Sequence, residues 1–149
     1  MKVAIGCDHG GLDLKEAVIS VLKDLALEVV DMGTSARTSC DYPDFAEKVS
    51  AAVAAHECEQ GILICGTGIG MSMSANKVRG IRAALCNEVY SARMARQHND
   101  ANILCMGARV VGAGVAEEIV RAYFAHSFEG DRHARRVAKI MALEERKQG

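Results

Sequence analysis

The chain has 149 residues, half of them hydrophobic and a quarter charged, with 18 Lys+Arg against 19 Asp+Glu. That length suits one domain over residues 1–149 with a proper core, and the balanced charge excludes both a disordered tail and a polybasic nucleic-acid binder. No apolar run approaches the ~20 residues that span a bilayer, and with no tryptophan there is little on which bases could stack.

In chain order, short apolar runs alternate with longer amphipathic stretches. The first run, Lys2–Cys7, reads as a strand and turns at once into Gly6, Asp8 and His9 instead of a signal-peptide core, so a cytoplasmic location is expected. Leu14, Val18, Val21, Leu22 and Leu25 then recur at helical spacing, before a second strand at Leu27–Met32. A helix follows at Pro43–Ala55, with Pro43, the sole proline, at N1. Strand three is Gly61–Cys65, its helix Gly68–Val78; strand four is Ile81–Cys86, its helix Glu88–Gln97. Strand five is Asn102–Met106, and two helices close the chain, Val111–Ala125 and Arg132–Lys147.

Strict alternation of this kind predicts an α/β fold: a five-stranded parallel sheet covered by helices on both faces, the doubly wound three-layer plan. Ligands of such sheets bind outside the carboxyl ends of the strands, and there polar and glycine residues crowd together. Strand one runs into Asp8-His9-Gly10-Gly11, strand two into Gly33-Thr34, strand three into Cys65-Gly66-Thr67-Gly68, and strand five into Gly107-Ala108-Arg109. No repeat, low-complexity segment or linker interrupts the pattern.

The segment from Gly61 to Gly70 is the most informative. A buried strand delivers Cys65 to its tip, and glycines then turn the backbone into a helix whose first N–H groups suit a phosphate or the oxygen charge of an enediolate. The same groups favour a thiolate at Cys65, fit to act as base or nucleophile. The competing reading is a nucleotide loop with Cys65 as a small core residue, but the spacing and lysine of a Walker A motif are missing, and no acid ends the next strand. Asp8 either meets sugar hydroxyls or caps the helix beginning near Gly11. His98, in His98-Asn99-Asp100-Ala101-Asn102, offers a group that titrates near working pH and can move a proton onto a ring oxygen. Arg109 and the run Arg132, Arg135, Arg136 suit phosphate capture, and cations at a helix start gain nothing from the dipole unless an anion is held there. His56, His126 and His133 read as surface residues. The six cysteines, Cys7, Cys40, Cys58, Cys65, Cys86 and Cys105, contain no C-x-x-C pair, so neither a zinc site nor a disulfide framework is expected, and no metal or other cofactor.

Taken together, Gly6-Cys7-Asp8-His9, Asp41-Tyr42-Pro43, the Cys65 segment through Ser74-Ala75-Asn76-Lys77, Gly80-Ile81-Arg82-Ala83, Arg96 through Asn102, and Gly107 through Gly112 resemble the family of ribose-5-phosphate isomerase B and the galactose-6-phosphate isomerase subunits, along essentially the whole chain. The resemblance implies a Rossmann-like fold in a homodimer or dimer of dimers, an active site completed across the subunit interface, a C-terminal helix at about 132–147 available to pack on the partner, and a sugar phosphate of the pentose phosphate pathway as substrate. It implies Cys65 as the base that shuttles a proton between C1 and C2 through a cis-enediolate, and Thr67 with the amides of Gly66, Gly68 and Gly70 steadying that intermediate. His98 becomes the acid of ring opening, and Asp8, Tyr42 and Asn99 become sugar contacts. The phosphate falls to His9, Arg109, Arg132 and Arg136. Asp131, where relatives often have glycine, and Ser39-Cys40 depart from the pattern. Two other functions compete: isomerisation of a hexose 6-phosphate such as allose or galactose 6-phosphate, and a sugar-phosphate or nucleotide-binding module without turnover.

Overall fold

The computed structural model describes residues 1–146. In chain order it comprises β1 (Lys2–Cys7), α1 (Leu12–Asp24), β2 (Glu28–Asp31), α2 (Tyr42–Ala54), β3 (Gln60–Cys65), α3 (Ile69–Ala75), β4 (Ala83–Leu85), α4 (Val89–Asn99), β5 (Ile103–Gly107), α5 (Ala113–Phe124) and α6 (Asp131–Arg146). The strands form one sheet in the order β2-β1-β3-β5-β4 with every pairing parallel. Among the described residues no helix is long and apolar enough to cross a membrane.

Period-two alternation sorts the strand side chains onto two cores. Val3, Ile5, Ile62, Ile64, Leu104 and Met106 face one layer, where Val18 and Leu22 of α1, Ala92 and Ala95 of α4, and Ile119 and Tyr123 of α5 meet them. Ala4, Leu63, Cys65, Ile103 and Cys105 face the other, against Val49 and Val53 of α2 and Met71 and Ala75 of α3. The result is the three-layer α/β/α sandwich expected from the sequence.

The boundaries shift where local hydrogen bonds compete with the ladder. Leu27 does not join strand two, because its N–H closes α1 on the Leu22 carbonyl at 3.0 Å. Strand four loses Ile81, whose N–H turns back to Val78, and Arg82, whose N–H bonds the Asn102 side chain at 2.7 Å. The helix expected over 68–78 is the shorter α3, and Pro43 is its own helix's second residue because Tyr42 is the first. Lys147, the expected last residue of the final helix, lies outside the described residues. Asp131 opens α6 with φ of 46°, a left-handed conformation that favours glycine. Only His133 and Val137 of α6 are buried, while Ile140 and Leu143 remain about half exposed.

At the end of β1 the chain passes so close to β3 that position 11 tolerates no side chain: a Cβ on Gly11 would lie 2.3 Å from the Ile64 carbonyl oxygen. Replacing Gly11 with alanine is therefore expected to lower stability by about 1–3 kcal/mol through overpacking against backbone. An unchanged urea midpoint for Gly11→Ala would contradict this packing.

Candidate active site

The strand order creates a crevice. β1 and β3 lie side by side, yet β1 feeds α1 on one face of the sheet and β3 feeds α3 on the other. Their exit loops diverge at this point, the location where doubly wound sheets take ligands. β5 adds a third loop next to β3. Backbone bonds fix the three loops to one another: Asp8 N–H to the Ile64 carbonyl at 3.3 Å, Ala108 N–H to Cys65 and Arg109 N–H to Gly66, both at 2.9 Å.

Cys65 sits at the carboxyl tip of β3, about 5% exposed. Its Sγ accepts a hydrogen bond from the Gly68 N–H at 3.1 Å. Gly68 can aim that N–H because it is left-handed, with φ of 78°, and because no Cβ intrudes on Leu85 and Met106 behind it. Thr67 keeps its hydroxyl at the loop tip, where Oγ1 accepts from Ile69 N–H at 3.3 Å. Among the described residues, no other cysteine sulfur receives a backbone N–H. Burial pushes Cys7 up to about 11 and Cys86 up to about 12, and it holds Cys105 well above the usual thiol range. Those three are protonated core residues.

The other residues expected at this edge gather round the loop. The Tyr42 ring lies over Gly70, within 2.5 Å of where a Cβ would stand, and the Arg109 guanidinium lies against Gly66. Asp8 is buried, with Oδ1 accepting the Gly11 N–H at 3.0 Å, so the side chain does brace the entry to α1. His9 Nδ1 accepts the Cys40 backbone N–H at 3.2 Å. An accepting Nδ1 leaves the ring proton on Nε2, free to donate to an anion.

His98, Asn99, Arg132 and Arg136 are not part of this crevice within one chain. α4 runs antiparallel to the strands, so its last residues return to their amino ends, about 15 Å from the carboxyl ends. Asn99 accordingly bonds Arg82 just before β4, and lines a cavity of about 230 Å³ there with Ile81 and Ile140. α6 begins at the same edge. His98 stacks on His133 with ring centroids 4.1 Å apart and planes 10° from parallel. Glu129 Oε2 lies 4.0 Å from His98 Nε2 and 3.7 Å from His133 Nε2. The sequence assigned His133 to the surface, but it is about 4% exposed and its Nε2 has no hydrogen-bond partner. Lys15 was also missed. It is buried, and its Nζ bonds Asp31 at 2.9 Å and the Thr34 carbonyl at 2.8 Å, tethering the exit loop of β2. Its place among Leu14, Val18 and Leu22 on the apolar stripe was the available signal.

Burial, together with the nearby His98 and Arg132, pushes His133 below the ordinary imidazole range. The unfolded chain therefore takes up a proton near pH ~6.5 that the folded chain refuses. Stability should fall as pH drops below that value, and His133→Gln should show a shallower fall between pH 7 and 5 in urea titrations. An unchanged slope would contradict the assignment.

The arrangement has close relatives. A family model described as Ribose/Galactose Isomerase matches residues 3–140. Ribose-5-phosphate isomerase B of Escherichia coli (strain K12) is 49% identical over 146 residues, covering 98% of each chain. The solved ribose-5-phosphate isomerase B of Clostridium thermocellum is 53% identical and superposes with a TM-score of 0.97 over 99% of each chain. That of Mycoplasma genitalium, solved with bound ribulose-5-phosphate, is 42% identical with a TM-score of 0.92 over 97% of this chain and 96% of its own. With its β1, β3 and β5 loops locked around Cys65 and these matches running its full length, the chain belongs to the ribose/galactose isomerase family.

Proposed function

We propose that this chain interconverts ribose 5-phosphate and ribulose 5-phosphate, with Cys65 as the proton-transferring base. The observation that carries this reading is the Cys65 sulfur at the tip of β3, faced by the Gly68 N–H at 3.1 Å and bordering the crevice between the β1 and β3 loops. The Cys65 thiolate takes the C2 proton of the open aldose, giving a cis-enediolate, and returns it to C1 while the O2 hydroxyl proton passes to O1, which leaves the ketone at C2 and a hydroxyl at C1. Thr67 and the amides of Gly66, Gly68 and Gly70 steady the negative oxygens that develop in between. Asp8 and Tyr42 line the sugar, and His9 Nε2–H and Arg109 hold the phosphate.

Ring opening needs an acid that the same chain does not bring to Cys65. We assign it to His98 of a second copy, accompanied by Asn99 for the sugar and by Arg132 and Arg136 for the phosphate. A two-fold axis running across the strands exchanges the two edges of the sheet, so one axis completes two sites. Ile69, Met73, Leu85 and Tyr90 flank the Cys65 loop and are exposed, as are Ile140 and Leu143 on α6, and all suit such an interface.

Cys65→Ala should lower kcat by about 10²–10⁴-fold while a sugar phosphate still binds. Retention of the original rate would exclude the thiolate mechanism. Comparison of kcat/KM across phosphates should favour ribose 5-phosphate over allose and galactose 6-phosphates, and a hexose preference would reassign the substrate.

The shared site has its own test. Co-expressed Cys65→Ala and His98→Ala chains, each inactive alone, should regain about a quarter of the normal activity, because half the pairs are hybrids with one intact site. Persistent inactivity of confirmed hybrids would mean that the Cys65 and His98 of one site come from the same copy.

A further inference from the structure

Among the described residues Lys15 is the single buried lysine or arginine, its side chain 4% exposed. It stands on the apolar stripe of α1 between Leu14 and Val18. Exchanging a buried ion pair for apolar groups is often neutral or stabilising, so stability alone gives no reason for an ammonium at this position. What the ammonium does is hold the segment between β2 and α2 at two points, Asp31 Oδ2 at 2.9 Å and the Thr34 carbonyl at 2.8 Å.

The end it holds is built against β1. Asp31 Oδ1 accepts the Gly33 N–H at 2.9 Å, and the Thr34 N–H bonds the Cys7 carbonyl at 3.0 Å. A Cβ on Gly33 would stand 2.7 Å from the Cys7 nitrogen, so this turn lies directly on the end of the strand. Two residues beyond Cys7 comes His9, whose Nδ1 accepts the Cys40 N–H at 3.2 Å. Thr34 to Cys40, across to His9 and back to Cys7 is thus a small closed ring. A second tie to α1, from Arg37 to Asp13 at 2.8 Å, joins side chains more than three-quarters exposed and holds weakly. Lys15 is the tie that water does not screen.

We infer that Lys15 is a positioning residue for the anion grip: by fixing Thr34 it keeps the Cys40 amide aimed at His9 Nδ1, and so keeps the imidazole proton on Nε2. A bond of 3.2 Å has little slack, since a shift of a few tenths of an ångström takes it out of range. With the Cys40 N–H withdrawn, the neutral ring is free to carry its proton on Nδ1, and Nε2 then meets an anion with a lone pair in place of a donor. The positional part stands on this chain's own bonds; its effect on phosphate rests on the role proposed above for His9.

Lys15→Met removes the ammonium, keeps its bulk and leaves only the partly exposed Asp31 without its partner. Nitrogen NMR spectra of the histidine side chains are recorded on the whole protein near pH ~8, where an ordinary imidazole is neutral. His9 is identified by the signal lost in His9→Ala. Wild type is expected to show the Nε2–H form and Lys15→Met a mixture of both tautomers; an unchanged His9 pattern in natively folded Lys15→Met would overturn the inference. Affinity for inorganic phosphate should fall about tenfold and KM for ribose 5-phosphate rise about tenfold, with kcat held within about twofold. A changed tautomer with undiminished phosphate binding would overturn the effect on the grip. A positioning lysine acts only where His9 is present, so Lys15→Met added to His9→Ala should weaken phosphate binding by less than about twofold further, and full additivity would break the link. Lys15→Gln, neutral and too short to hold both acceptors, carries the same measurements if Lys15→Met lacks native circular dichroism. Should the protein not isomerise ribose 5-phosphate at all, the spectra and the phosphate titrations still decide the role of Lys15.

Discussion

All five strands run the same way, and each connecting helix must therefore run back across the sheet. This polarity governs the rest of the molecule. It collects the exits of β1, β3 and β5 at one edge, where Asp8, His9, Cys65 and Arg109 meet. It also sends the end of α4 and the start of α6 to the opposite edge, with His98, Asn99, Arg132 and Arg136. A single copy thus holds the groups proposed for the reaction at two opposite ends of the sheet, and no loop movement of ordinary size brings them together. The proposed two-copy site follows from this separation.

Within the Cys65 edge, precision comes from backbone contacts more than from side chains. Loop-to-loop amide bonds hold the exits of β1, β3 and β5 in register, and Gly11 and Gly68 allow approaches that any larger residue would block. A site made this way is set by the backbone before any ligand arrives, which suits the enediolate stabilisation proposed for it. The proposed chemistry calls for only one thiol out of six in a suitable setting, and burial keeps Cys7, Cys86 and Cys105 protonated.

Much of this was legible in the amino-acid sequence, because apolar periodicity and glycine placement report on local structure. The strands, the helices and the Cys65 loop follow from such patterns, and strand-end polar residues mark the crevice. The sequence could not show which end of the sheet each group occupies, so it did not reveal that helix α4 carries His98 away from the thiol of its own chain. Burial of single polar residues was equally hidden. His133 lies on a strongly charged helix and looks solvated, and becomes interior only because it stacks on His98 from a different element. Lys15 is hidden for the opposite reason, its charge masking a position on an apolar stripe. Helix ends were least legible, since single hydrogen bonds such as that from Leu27 to Leu22 decide them.

The bond from the Cys40 amide to His9 Nδ1 ties the segment between β2 and α2 to the proposed phosphate grip. That segment also leads into Tyr42, which covers the glycine loop at Gly70. Insertions or substitutions around Ser39-Cys40 therefore act on two features of the proposed site at once: the room beside Tyr42 for a sugar and the proton placement on the His9 imidazole. Divergence toward longer sugars along this loop is constrained, because a change that widens the sugar pocket must also preserve one main-chain amide in its present direction.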